Sequence, residues 1–295
     1  MKHRKTTIAL GLASVLAVSC SSAERSPATP AAHFTETVNA QQFYRGNVHT
    51  HTTRSDGNMD PVGVIGWYKS HGYDFLAVTP MGAVEMANKQ IAEAHADGGV
   101  ALLNHPNFYW ALPQDDLLKI DGFEILEIAS GHHLVNEAGN STHPSEEELW
   151  DTYLSQKHRV YGAGVDDTHE YHVFNDKVET NPGRVWIQVW APKLEEHVLC
   201  EALRTGHFYT ARNSKISALV VTPSRMELAV DDWQPSTDHV DFIGAGGQLL
   251  ERVFTNPARY TLRGGEGYVR AHVFQERKDG RKHEALTQAY FIKND

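Results

Sequence analysis

Arg45-Gly46-Asn47-Val48-His49-Thr50-His51-Thr52-Thr53-Arg54-Ser55-Asp56-Gly57 is the stretch on which the reading of this chain turns. Its first residues, Arg45–His49, have the apolar pattern of a short strand. In an extended segment, residues two apart project to the same side, so the imidazoles of His49 and His51 can reach one ion at roughly 2.0–2.1 Å. The turn Ser55-Asp56-Gly57 can return a carboxylate toward a neighbouring ion. A lone His-x-His is weak evidence, but two further strand ends carry the same residue types. His105 follows Val100–Asn104 in Leu103-Asn104-His105-Pro106, and Asp166-Asp167-Thr168-His169 follows Val160–Gly164. In a parallel sheet or barrel, the carboxyl ends of strands are where sites are assembled. Any single histidine here reads equally well as a turn cap; the set reads as a metal site.

Outward from these motifs, short apolar runs alternate with helical patterns up to about residue 190. The remaining strands of this part are Tyr73–Thr79, Phe123–Ile128 and Val185–Trp190. Asp60-Pro61 places a capping carboxylate before a proline suited to the first helical position, opening a helix to Ser70. A second helix runs over Val84–Asp97 and stops at Gly98-Gly99. A third, Glu146–Gln156, is rich in Glu in its first turn, and Leu194–Thr205 also has helical character. Alternating strands and helices imply an α/β fold with a mainly parallel sheet. After residue 212, Ile216–Val221, Met226–Val230, Val240–Gly244, Tyr260–Leu262, Tyr268–Phe274 and Ala289–Ile292 read as short strands of a small antiparallel β domain.

The N-terminus stands apart. Lys2, Arg4 and Lys5 precede an apolar run from Ile8 to Val18, too short to span a bilayer, which marks residues 1–20 as an export signal. Leu16-Ala17-Val18-Ser19-Cys20 resembles the lipobox of bacterial lipoproteins, which implies lipidation of Cys20; cleavage of an ordinary secretory signal is the alternative. Residues 21–43 then read as a flexible tether, 44–212 as the metal-binding part and 213–295 as the β-rich domain. The expected location is the bacterial periplasm or outer membrane, with membrane contact only through the lipid. Loss of Lys2, Arg4 and Lys5 would move the net charge from −10 to −13, a surface that disfavours nucleic acid. Only Cys20 and Cys200 are present, so a lipidated Cys20 leaves no intramolecular disulfide, and Cys200 reads as a small buried apolar residue.

The ordered set His49-x-His51, Ser55–Gly57, Tyr73–Thr79, Gly98–Pro106 and Gly164–His169 resembles successive motifs of the PHP family, named for polymerase and histidinol phosphatase. The resemblance covers roughly residues 44–210. Glu201–Tyr209 and Gly267–Arg270 are similar to exported members grouped with carbamate-pesticide hydrolases. The likeness implies an irregular (β/α)7-type barrel holding one to three divalent ions, Zn, Mn or Fe. His49, His51 and Asp56 would come from the first motif, His105 from the third, and Asp167 and His169 from the last. Asp166 would support them or sit beneath the turn, and Glu127 is an additional candidate.

One departure bears on mechanism. Where the family runs into Asp-His-Asn and, later, a bridging glutamate, this chain reads Thr79-Pro80-Met81-Gly82 and enters a helix at once. About 40–60 residues are missing, equivalent to one or two βα units. Pro80 cannot be a ligand, Met81 is too soft for a hydrolytic ion, and Glu85 reads as a solvated first-turn carboxylate. Without a bridge, the expectation is one well-held ion on His49, His51 and Asp167, with His169 and Asp56 for a weaker second. His105 would lose its partner ion, and His132-His133 would be loop surface. The expected function is an exported hydrolase of phosphoesters or related small esters that uses metal-activated water. The alternative is a catalytically inactive relative acting as a binding or scaffold protein. An amidohydrolase-like barrel also opens with His-x-His, but the Asn104–Pro106 and Asp166–His169 motifs favour the first family.

Overall fold

A computed structural model describes residues 15–18, 36–39, 43–77, 84–110, 114–156, 159–175 and 179–292, with backbone alone at 15–18, 36–39 and 84–86. The strands are β1 (Val15–Val18), β2 (Glu36–Asn39), β3 (Phe43–Asn47), β4 (Phe75–Leu76), β5 (Val100–Leu103), β6 (Ile125–Ser130), β7 (Tyr161–Val165), β8 (Trp186–Trp190) and β9 (Phe208–Arg212). Then follow β10 (Ile216–Thr222), β11 (Arg225–Val230), β12 (His239–Gly244), β13 (Gln248–Val253), β14 (Ala258–Thr261), β15 (Tyr268–Phe274), β16 (Glu284–Leu286) and β17 (Tyr290–Phe291). The helices are α1 (Pro61–Ser70), α2 (Val84–Ala96), α3 (Gln114–Leu117), α4 (Glu146–Ser155) and α5 (Glu196–Thr205).

The fold is mixed α/β, with large sheets and few helices. Among the described residues the strands form three sheets rather than one closed ring: β1-β5-β6-β7, β14-β11-β10-β2, and β13-β12-β15-β16-β9-β8-β3-β4 with β17 on β15. Parallel pairing is confined to β5-β6-β7 and β3-β4. The expected parallel character therefore holds around the histidine motifs, while antiparallel pairing dominates elsewhere. The largest sheet runs without interruption across residue 212, because β9 pairs with both β8 and β16.

Local chemistry accounts for the helices near the histidine motifs. Asp60 accepts hydrogen bonds from the Val62 and Gly63 amides at the start of α1. Ser145 and Glu148 form a reciprocal capping box on α4. Strands β5 and β6 are buried along their whole length, as a sheet covered on both faces requires. Val48, Leu102, Ile125, Val165, Ile187 and Leu203 pack into the core between the parallel strands, β8 and α5.

Two short strands fall inside N-terminal stretches that the sequence assigns other roles. Val15–Val18, within the expected export signal, pairs antiparallel with β5. Glu36–Asn39, within the expected tether, pairs with β10. Cys200 is buried in α5, and it is disulfide-bonded rather than a plain packing residue. Cys20, Pro80 and Met81 lie outside the described residues, as does the side chain of Glu85.

Candidate metal centre

The loops after β3, β5 and β7 meet at one end of the parallel strands. Thr50 forms an isolated parallel bridge with Thr168. The His51 amide donates to Thr168 O at 3.0 Å, and the Asp167 amide to His49 O at 3.1 Å. These bonds lock the first and last motifs side by side, which sequence separation alone cannot reveal. His105 and Asp167 adopt positive φ, 25° and 47°, a strained conformation for residues with a Cβ.

Asp167 stands at the centre. Its Oδ1 lies 3.1 Å from His49 Nε2 and 3.2 Å from His51 Nε2, with neither nitrogen aligned to donate to it. The two Nε2 atoms are themselves 3.1 Å apart. His169 Nδ1 is 3.7 Å from the same oxygen, and its ring stacks on His51 with centroids 4.1 Å apart. Asp56 reaches in from the Ser55-Asp56-Gly57 turn, 2.9 Å from His51 Nδ1 and 3.3 Å from His169 Nε2.

Ligand atoms within 4.8 Å of one another define two groups able to hold an ion: His49, His105 and Asp167, and His51, Asp167 and His169. Asp167 belongs to both. The expected set of His49, His51 and Asp167 also lies together, its three ligand atoms 3.1–3.2 Å apart, and the correction is confined to His105, which keeps partners. One carboxylate, that of Asp167, is thereby placed between the two sets.

The electrostatics favour a cation. Burial holds His49 near 3 and thus neutral. His49 Nδ1 lies 3.0 Å from Glu127 Oε2, and with the proton there, the Nε2 lone pair faces His51 and Asp167. His51 is raised to about 9 against the effect of its own burial, because Asp167 and Asp56 flank it. The same histidines keep Asp167 well below the usual carboxylate range despite its burial, and His169 and His51 do so for Asp56. A neutral His49 beside ionised Asp167 and Asp56 offers donors to a divalent metal, and His51, which carries a proton between the two carboxylates, would give that proton up to an ion in its place. Burial also leaves His105 Nδ1 and Glu127 Oε1 without hydrogen-bond partners among the described residues. The residues present therefore fit one or two divalent ions.

The additional candidates have distinct places. Glu127, on β6, is raised to about 8 by burial, and it contacts the outer nitrogen of His49, the position of a group that orients a ligand. Asp166 sits beneath the turn, accepting from the Gly183, Arg184 and Val185 amides and from Tyr68 Oη. His132 is not plain loop surface: its ring meets that of His169 edge-on, with centroids 5.3 Å apart, while His133 is exposed. Sequence reading missed Glu146, a fully buried first-turn residue of α4 whose Oε1 accepts from the Asn107 amide at 3.4 Å. Its helix position signalled solvent, and no local pattern in the sequence marks it as buried; the contacts of Asn107 with Asn136 and Pro144 bring that segment over it.

No protein-family model and no curated protein matches the sequence. Among solved structures, the chain is similar to a two-domain protein from Bacteroides vulgatus ATCC 8482 described as containing a predicted PHP-like metal-dependent phosphoesterase. The two share 12% identity with a TM-score of 0.43, over 90% of this chain and 100% of that one. A likeness of that size carries no function with it, so the chemistry must be read from the residues.

Proposed function

We propose that this chain is a metal-dependent hydrolase of phosphoesters or related small esters, built on a shortened PHP-type barrel. The observation that carries the reading is Asp167 Oδ1, undonated and within 3.2 Å of two imidazole nitrogens that face it. Ions would be held by His49, His105 and Asp167 and by His51, Asp167 and His169, with Asp56 closing the outer side. A bound divalent ion supplies Lewis-acid polarisation of the ester and lowers the pKa of water toward about 7. The protein's part is to hold the imidazoles in their ligating tautomers, through Glu127 on His49 and Ser55 on His51.

Zn, Mn or Fe all suit a histidine and carboxylate set. We further propose export, supported by the basic start and the apolar run; lipidation at Cys20, which the Leu16–Cys20 motif suggests, and a disulfide at Cys200 within the same chain exclude one another, because Cys20 is the one other cysteine. Removal of residues 1–20 would also uncover the edge of β5 that β1 pairs with.

The test is metal content of the purified chain, followed by aryl phosphate, phosphodiester and carboxylester assays with added Mn or Zn. Two ions per chain, and turnover lost in His49→Ala and Asp167→Ala, is the expected result. Less than one ion with no turnover would overturn the hydrolase reading and leave a binding or scaffold protein.

A further inference from the structure

We propose that the Arg212–Glu137 ion pair is a positioning device, through which the C-terminal sheet sets the loop that brings His132 to the metal centre. The inference rests on the reading that this centre holds divalent ions. Ser130 ends β6, two residues before His132. Pairing with β7 continues to Ser130, but pairing with β5 stops at Leu126, so one side of the strand end has no strand neighbour. The ion pair fills that side. Glu137 Oε2 accepts the Ser130 amide at 2.8 Å, and Arg212 Nη2 donates to Ser130 O at 3.1 Å.

The pair is itself fixed. Arg212 Nη1 and Nη2 grip the two Glu137 oxygens at 3.0 and 2.7 Å, the fork geometry that makes arginine specific for a carboxylate. Arg212 comes from β9, and Glu284 on neighbouring β16 lies 2.8 Å from its Nη1. Lys282 donates to Glu137 Oε1 at 2.7 Å. The Arg212 side chain is only 8% exposed, so solvent does little to loosen the arrangement.

The constraint passes along the chain to His132. Ser130 Oγ accepts the His132 amide at 3.3 Å. The Gly131 amide donates to Val165 O at 2.8 Å, and Arg184 Nη1 donates to Gly131 O at 3.1 Å. A Cβ at residue 131 would lie 2.7 Å from Asp166 O, so the loop can pass this point only as glycine. The backbone before His132 is thus held at every peptide unit, and the bond from Arg212, with its partner Glu137, ties it to the C-terminal sheet. Outer residues that orient a metal site typically change its affinity by about 10–100-fold when removed.

The experiment measures Zn binding by competition with a chromophoric chelator, and metal content, on the full chain and on Glu137→Gln, Arg212→Met, Arg212→Lys and Lys282→Met, each checked for fold by circular dichroism. Arg212→Met and Glu137→Gln are expected to weaken the less tightly held Zn by about 10–100-fold. Arg212→Lys should recover part of the loss, since one charge-assisted contact remains. If Arg212→Met does not fold, Glu137→Gln and the surface anchor variant Lys282→Met decide, the latter with a few-fold loss. Folded variants that bind Zn as the unaltered chain does would overturn the positioning role and leave a plain structural brace. An unaltered chain that binds no Zn would instead overturn the metal reading on which the inference stands.

Discussion

Around Asp167 and along the wall near Arg270, the same chain buries ionisable groups in opposite ways. At Arg270, cations and anions answer one another: Nη2 lies 2.6 Å from Asp151, Nη1 lies 2.8 Å from Glu147, and Tyr268 donates to Asp151. His272 adds a contact of 3.1 Å to Glu147. Glu147, Asp151, Arg270 and His272 line a cavity of about 1060 Å³ between α4 and the C-terminal sheet, whose lining includes none of His49, His51, His105, Asp167 and His169. Around Asp167, by contrast, no lysine or arginine pairs with Asp56, Glu127 or Asp167 among the described residues. Both regions carry shifted ionisations, so a shift by itself does not mark a functional site. What distinguishes them is the kind of counter-charge: at Arg270 it is a guanidinium, which holds its charge permanently, and at Asp167 it is imidazole, which an external cation can replace.

The contrast can be broken most sharply at Asp167. Asp167→Asn removes the shared charge from both ligand groups, and metal content should fall below one ion per chain in elemental analysis, with loss of any turnover. Arg270→Met should leave metal content unchanged. It strands Glu147 and Asp151 instead, and denaturant unfolding should show a loss of about 3–5 kcal/mol, the usual consequence of breaking one side of a buried ion pair.

A pH series sharpens the same point. Burial would lower His272, but Glu147 from α4 and Glu284 from β16 outweigh it and raise the imidazole to about 9, with Arg270 the cation beside it. A histidine raised on folding contributes stability that is complete below the unfolded value near 6.5 and is lost as pH rises through the folded value. Unfolding free energy of the metal-loaded chain should therefore fall by about 3 kcal/mol between these limits. In His272→Gln that decline should disappear. Smallest of all is the effect of the ion on stability: Zn at about 100 times its dissociation constant should add about 2.7 kcal/mol, reversed by chelator. No stabilisation by Zn, Mn or Fe would erase the distinction between the two clusters.

Much of this was legible in residues 45–169. The Asp60 cap, the helix at 84, the Glu-rich start of the helix at 146 and the strands on either side of the histidine motifs follow from local rules, and local rules survive folding. The large sheet was less legible. β9, β13 and β16 lack strong alternation, and β9 becomes a strand through its partners β8 and β16. The strands near Val15 and Glu36 were hidden for a related reason: an edge strand is made by its neighbour's free hydrogen-bonding groups, which no local pattern records.

The sequence by itself determined which atoms are available: imidazoles at residues 49, 51, 105 and 169 and carboxylates at 56 and 167. Only the tertiary structure decided how they are shared. It placed Asp167 between two ligand groups, kept His105 in one of them, set Glu127 against His49 and put the Arg212–Glu137 pair against Ser130. The physical reason is that ligand type is a property of single residues, whereas bridging and positioning depend on distances of about 3 Å. Those distances are set by long-range pairing, here the bonds that hold His49 and His51 against Asp167 and Thr168.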